Sequence, residues 1–282
     1  MENNFDREKF KEKKKAELAS LYDAANEETL RIAGNPDRLA EYLRVQARFD
    51  RYSVTNAILL LHQFSEAQQL KTFEEWKRAG ASVAKGEKSI SVLEPSGYTR
   101  TDGSTARSYR IKKLFDISQT DMSNNASSFL TGVSDRSIIK ALLLAGDAEI
   151  LAMETDWEGD SFFNRRQRKI YLKEGVEPDD FFRVAAASIA EAKLSDQVDS
   201  GSEEELKNKA EAAAFMLCIK YGIDTGTLKG KLSENALQME PREIKAELSE
   251  IRQVFTEIAI SMDAFIREEK KAREECDYDA ER

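Results

Sequence analysis

Histidine and cysteine are nearly absent from this sequence, which has one histidine and two cysteines in 282 residues. Cys218 and Cys276 are too few for a disulfide framework or a cysteine zinc site, and Cys218 lies in an apolar helical run that predicts a buried free thiol. His62 stands alone and reads as a structural or surface residue. No Ser/His/Asp arrangement and no His/Glu pair is available for hydrolytic chemistry. Long apolar runs are also lacking: none approaches the ~20 residues that span a bilayer. Met1-Glu2-Asn3-Asn4 has none of the character of a signal peptide. The expectation is a soluble, cytoplasmic protein with no membrane contact.

Charge is plentiful but unevenly placed. The net charge is −9, which argues against a generic nucleic-acid protein, yet the average hides a division. Residues 42–115 hold 13 Lys and Arg against 7 Asp and Glu, a local +6, whereas residues 121–282 hold 22 against 34, a local −12. A basic first region joined to an acidic second one leaves only the first suited to polyanions.

Along the chain, residues 5–22 are rich in Lys and Glu with a sparse apolar stripe (Phe10, Leu18, Leu21), which predicts a peripheral helix. Its Lys11 to Lys15 cluster is interrupted by Glu12 and followed by Glu17, so it is a weak binding signal. Asn35-Pro36 reads as an N-cap and N1 opening a helix with Leu39, Tyr42, Leu43 and Ala47 on its apolar face. Ser53 caps the next helix, whose Ile58 to Leu61 run makes it the central helix of the first domain. Tyr52, Asn56 and Gln63, spaced four and seven apart, fall along one face of it. A polar stripe on a buried helix needs partners, internal or external, because an unpaired polar group in a core costs ~1–3 kcal/mol.

Thr72 with Glu75 three residues later has the form of a capping box for a short helix ending at Gly80. A basic turn, Lys85-Gly86-Glu87-Lys88, follows, and then a strand with Ile90 and Val92 on one face that Pro95 is expected to end. Turn signals over 96–104 lead to a returning strand carrying Arg110, Lys112 and Lys113. Taken locally, Trp76 and the lysine turn fit a packed indole under a solvated hairpin. The packed indole is the commoner outcome for such a stretch, and the alternative is an aromatic and basic surface for a nucleic-acid backbone and its bases.

Three blocks in fixed order narrow the choice: Tyr52-Ser53-x-x-Asn56 with Gln63 and Ala67; Phe73-x-x-Trp76-x-x-x-Gly80-x-x-Val83-x-Lys85-Gly86-Glu87-Lys88; and Phe115-Asp116-Ile117-Ser118-Gln119-Thr120. Together, over roughly residues 37–120, they resemble the N-terminal domain of ArdC-type antirestriction proteins, and the LtrC-like proteins of conjugative elements look similar. The resemblance implies a single-stranded DNA-binding domain used by mobile elements. Its expected contacts are phosphates at Lys85, Lys88, Arg110, Lys112 and Lys113, base stacking at Tyr52 or Trp76, and polar contacts from Asn56 and Gln63.

Residues 121–133 have the small, polar composition of a linker, which places one domain at 1–125 and a second at 134–282. The order of helix, strand, hairpin and helix in the second resembles the start of the zinc metallopeptidase domain of ArdC-type proteins. In that family the following helix carries His-Glu-x-x-His, two imidazoles on one helical face with a glutamate to activate the zinc-bound water. Here the matching positions are Ala187, Ser188 and Glu191, and the third ligand position is Glu211. The expectation is therefore a zincin-like scaffold with no catalytic residues, no metal, no cofactor and no peptidase activity. A final apolar series, Ile244, Leu248, Ile251, Phe255, Ile258, Met262 and Phe265, has coiled-coil spacing for packing on the chain's own second domain, or for a helix-mediated dimer. The charged residues 267–282 are expected to fray.

The sequence thus predicts an α+β protein: a small α/β DNA-binding domain followed by a mainly helical zincin-like domain with a short sheet. Its function reads as a single-stranded DNA-binding antirestriction accessory protein of a mobile element, with a host restriction or defence protein as a further partner. An inhibitor or adaptor working by protein contact alone, its acidic surface mimicking DNA, is the alternative.

Overall fold

The computed structural model describes residues 2–99, 105–122, 130, 133–153, 161–197, 202–226 and 230–280. Its chain order is α1 (Glu2–Gly34), α2 (Pro36–Arg48), α3 (Val54–Phe64), β1 (Leu70–Lys71), α4 (Phe73–Arg78), β2 (Ile90–Thr99) and β3 (Thr105–Asp116). There follow α5 (Asp135–Leu144), β4 (Glu149–Met153), β5 (Ser161–Asn164), β6 (Lys169–Lys173), α6 (Pro178–Gln197), α7 (Glu203–Tyr221) and α8 (Pro241–Ala280). The architecture is mixed α+β. One sheet runs β1-β3-β2, antiparallel throughout; the other runs β4-β6-β5, with β4 parallel and β5 antiparallel to β6. The turn signals at 101–104 and most of the predicted linker (123–129, 131–132) lie outside the described residues.

Helix starts follow the capping chemistry of the sequence. Asn35 accepts the amides of Asp37 and Arg38 ahead of Pro36, and Ser53 accepts that of Asn56. Thr72 with Glu75, and Ser202 with Glu205, complete reciprocal capping boxes that satisfy otherwise orphaned N–H groups. Strand β2 differs from expectation. It continues through Pro95, which lies opposite Tyr109, because β2 is an edge strand of its sheet and a missing outward N–H costs no ladder bond there.

Both halves contribute to one hydrophobic core. Ile58, Leu59 and Leu60 of α3 join Ala212 to Leu217 of α7 and the heptad residues Ile244, Leu248, Ile251, Phe255, Ile258 and Met262 of α8. Cys218 is buried among them, and its thiol is pushed up to about 12 by burial, with smaller contributions from nearby charges. Helix α8 packs not only on α5, α6 and α7 but also on α1 and α3. Its charged end, expected to fray, stays helical to Ala280 with (i, i+4) pairs such as Arg273–Glu269 and Lys271–Glu275. A second, smaller cluster holds Trp76, Ala81 and Ile117 beneath the lysine turn.

Candidate nucleic-acid interface

The polar stripe of α3 finds its partners inside the protein. Asn56 Oδ1 accepts from the Leu93 amide at 2.8 Å and its Nδ2 donates to the Leu93 carbonyl at 2.9 Å. Seven residues on, Gln63 does the same for Ser91, accepting from its amide and donating to its carbonyl at 2.9 Å each. The two amides stand in for a missing neighbouring strand and close the outward edge of β2. Asn56 and Gln63 therefore hold the sheet against its central helix, and their hydrogen-bonding groups face backbone rather than an incoming ligand.

Trp76 is also internal. It is 2% exposed, and its Nε1 donates to the Phe115 carbonyl at 2.8 Å. The Lys71 ammonium sits 4.5 Å from the indole centroid. No ring face is open for a base. Above it, Lys85 and Lys88 are exposed on a turn that Gly86 makes possible with φ +95°. Gln119 fastens this turn: its Nε2 donates to the Lys88 carbonyl at 3.0 Å and to Glu87 at 2.8 Å, and its own carbonyl accepts from the Ala84 amide at 2.9 Å. Asp116, fully buried, accepts from the Gln68 and Gln69 amides and from the amide and hydroxyl of Ser118. The Phe115 to Thr120 block is thus the fastener of the lysine turn.

Strand alternation divides the cations that the sequence groups together. Arg110 and Lys112 share a face with Glu94, at 2.6 and 3.4 Å. The bond from Arg110, then that from Lys112, hold the Glu94 carboxyl below its ordinary range despite slight burial. Lys113 points the other way, to Glu17 of α1 at 2.5 Å and Ser91 Oγ at 2.9 Å.

Between the start of α3 and the edge of the sheet lies a cleft of about 320 Å³, lined by Arg51, Tyr52, Ser53, Pro95, Tyr109 and Lys112. It adjoins a wider hollow of about 420 Å³ that passes Tyr52 and Lys112 to reach Lys71, Glu75 and Arg78. Tyr52 is the ridge between the two, stacked on Phe49 with ring centroids 5.5 Å apart. Burial, and secondarily Glu75, raise its phenol, so it stays a neutral donor. Tyr109 is 44% exposed. Arg51, Lys71, Arg78 and Tyr109 escape the sequence reading, because only the pairing of β3 with β2 and the seating of α4 bring them to one groove.

The Phe49 to Tyr52 turn that carries this ridge is fixed from below. Gln46 Nε2 donates to the Phe49 and Tyr52 carbonyls, and Arg252 of α8 donates to the Asp50 carbonyl at 2.9 Å. Lys220 of α7 pairs with Asp50 at 2.7 Å and with Asp263 at 3.2 Å. Elements of the second half therefore position a residue of the groove.

On α6, Ser188 donates to Ser161 of β5 at 2.8 Å, Ala187 offers a methyl group, and Glu191 faces a cleft of about 260 Å³ with Asn164, Arg165, Arg166 and Glu203. Among the described residues no three His, Cys, Asp or Glu side chains come together to hold a metal ion. The side chains at the zinc positions of the resemblance do not fit zinc, which asks for three nitrogen, sulfur or carboxylate ligands and an open position.

Residues 31–127 match the family described as the N-terminal domain of anti-restriction factor ArdC. An uncharacterized protein of Bacillus anthracis is 32% identical over 87 residues, 31% of this chain. The matched stretch spans 15% of that protein's length. Among solved structures, the antirestriction protein ArdC from the R388 plasmid is similar in its metal-free crystal form at 20% identity, over 76% of this chain and 84% of that one. Its Mn(II)-bound form is similar at 19% identity over 77% and 84%; the TM-score is 0.49 for both.

Proposed function

With residues 31–127 an ArdC-type N-terminal domain, we propose that this protein binds single-stranded DNA as an antirestriction accessory protein of a mobile element, acting in the host cytoplasm. The observation that carries the reading is the groove around Tyr52 and Lys112, with aromatic side chains at Tyr52 and Tyr109 and cations at Arg51, Lys71, Arg78 and Lys112. Stacking on a tyrosine tolerates any base, and cations along the path meet the phosphates without reading sequence. Lys85 and Lys88 add a second cationic point on the turn above Trp76.

The test is a titration of a labelled single-stranded oligonucleotide against the full chain at increasing salt. Binding that weakens with a slope of about −0.7 per phosphate contact is expected. Tyr52→Ala combined with Lys112→Glu should reduce affinity by about tenfold or more, from one lost stacking contact of ~1–3 kcal/mol and one reversed charge. Absence of binding at low salt, or indifference to both substitutions, overturns the reading.

The second region, in this reading, has no peptidase chemistry. Ala187, Ser188 and Glu191 supply one carboxylate where three ligands and a general base are needed. Purified protein that retains one equivalent of zinc through dialysis would contradict this. The acidic balance of residues 121–282 favours a second reading, an inhibitor that occupies a restriction or defence protein directly. Capture of such a partner from a restriction-proficient host, undiminished by nuclease treatment, would favour it over DNA binding.

A further inference from the structure

Helix α1 begins well before the matched domain, and its residues 8–17 are exposed throughout. From Leu18 onward one stripe of this helix packs inward: Leu18 and Leu21 partly, then Ala25, Thr29 and Ile32 buried. Tyr22 lies on the same stripe at 36% exposure. At 3.6 residues per turn, Lys11, Lys14 and Lys15 continue this stripe toward the N-terminus within an arc of about 100°. Glu12 and Lys13 lie off it. All three lysines are exposed, Lys14 with its ammonium 4.7 Å from the Phe10 ring centroid, so toward the N-terminus the packing face of the helix gives way to ammonium groups.

One contact ties this helix to the first sheet, and one electrostatic neighbour brings it to the groove wall. Glu17 pairs with Lys113 of β3 at 2.5 Å, and Lys113 also donates to Ser91, which ties α1 to the first sheet. One turn further in, the Tyr22 phenol is raised by burial and then by the neighbouring phenol of Tyr109, a residue of the groove wall. Lys113 thereby serves as the anchor of α1, and the cations that extend beyond it belong to the helix.

We propose that Lys11, Lys14 and Lys15 of α1 form an outer rail for the phosphates of a single strand that leaves the Tyr52 groove past Tyr109. This rests on the DNA-binding reading above. A nucleic-acid strand suits the site because the lysines lie about 10–16 Å along the helix from Tyr22, a separation that a flexible polyanion bridges. Flexible ammonium groups also follow a backbone of no fixed shape.

The experiment compares full-length wild type, the triple variant Lys11→Gln/Lys14→Gln/Lys15→Gln, the single variant Lys13→Gln on another face, and Tyr52→Ala/Lys112→Glu, each titrated with labelled oligothymidine over a range of salt. Glutamine has nearly the helix propensity of lysine, and circular dichroism verifies that α1 persists. The triple variant should bind about tenfold more weakly at low salt. Its slope of log K against log salt should be shallower by about 1.4–2, or 0.7 for each lost phosphate contact, while Lys13→Gln changes neither by more than one contact. If wild type binds, the groove variant weakens it and the triple variant behaves like Lys13→Gln, the rail is wrong and the groove stands. If wild type shows no salt-dependent binding, the groove and the rail fall together.

Discussion

Asp116 in the first region is fully buried and accepts four hydrogen bonds that join the β1 approach to the Phe115–Thr120 block. Glu28, also buried, would be raised by burial, but bonds from Arg38 and His62 and the charges of Arg38 and Arg31 bring its carboxyl below the ordinary value. On α6 the situation is reversed. Burial lifts the Glu191 carboxyl above its ordinary range, Lys207 only partly opposes this, and Glu203 adds to it. The first region uses these buried carboxylates in its architecture, as the second uses Glu247 to hold Ser233, but the second also keeps Glu191 at a cleft where ionisation costs free energy. A desolvated carboxylate at a cleft is a mark of functional sites. The neighbours of Glu191 on α6 are Ala187, which offers a methyl group, and Ser188, whose hydroxyl is bonded to Ser161.

This contrast can be broken or sharpened by substitution. The largest effect is expected for Asp116→Ala, which strands several donors at once and should destabilise the protein by about 3–5 kcal/mol in denaturant unfolding. A loss below ~1 kcal/mol would mean that the carboxylate is not the fastener described. Asn56→Ala should cost about 2–3 kcal/mol, because the Leu93 amide and carbonyl lose their partners at a closed sheet edge. Hydrogen exchange at Leu93 should rise with it.

Lys220→Met tests whether the two regions communicate. It leaves Asp50 and Asp263 without their shared cation and should lower stability by ~1 kcal/mol, while oligonucleotide affinity falls about threefold to tenfold through a loosened Tyr52 turn. Lower stability with unchanged affinity would confine the brace to folding. The smallest effect, and the only one of opposite sign, belongs to Glu191→Gln. A carboxyl whose folded pKa is raised destabilises the fold as pH climbs from the ordinary value of 4.5 through the folded value. The glutamine variant should therefore be slightly more stable than wild type at neutral pH, with the advantage vanishing below that window. Thermal melts at neutral and acid pH read both limbs.

Much of the fold is legible from local rules. Asn35-Pro36, Ser53, Thr72 with Glu75, and Ser202 with Glu205 announce their helices because a cap and the amides it serves lie within three residues. The heptad of α8 is equally plain, because its period is written in the chain. The candidate site is harder to read. Trp76 beside a lysine turn has the composition of a stacking surface, but its indole is directed inward by a carbonyl 39 residues away. Lys112 and Lys113 are neighbours in sequence and opposites in space, a separation that follows from the strand once its register is known. Pro95 looks like a strand end and is a strand interior, because the edge position of β2 excuses its missing donor.

What the sequence by itself determined is local: helix starts, apolar faces, the basic and acidic halves, and the scarcity of the imidazoles and thiols that metal chemistry would use. Tertiary structure alone decided which polar groups are free to meet a ligand. Asn56 and Gln63 are matched to backbone 37 and 28 residues distant, and Tyr52 is positioned by Lys220 and Arg252 from the far half of the chain. The physical reason is reach. Propensity, capping and periodicity act over about one helical turn, whereas the partner that satisfies or exposes a side chain is chosen by packing between elements remote in sequence.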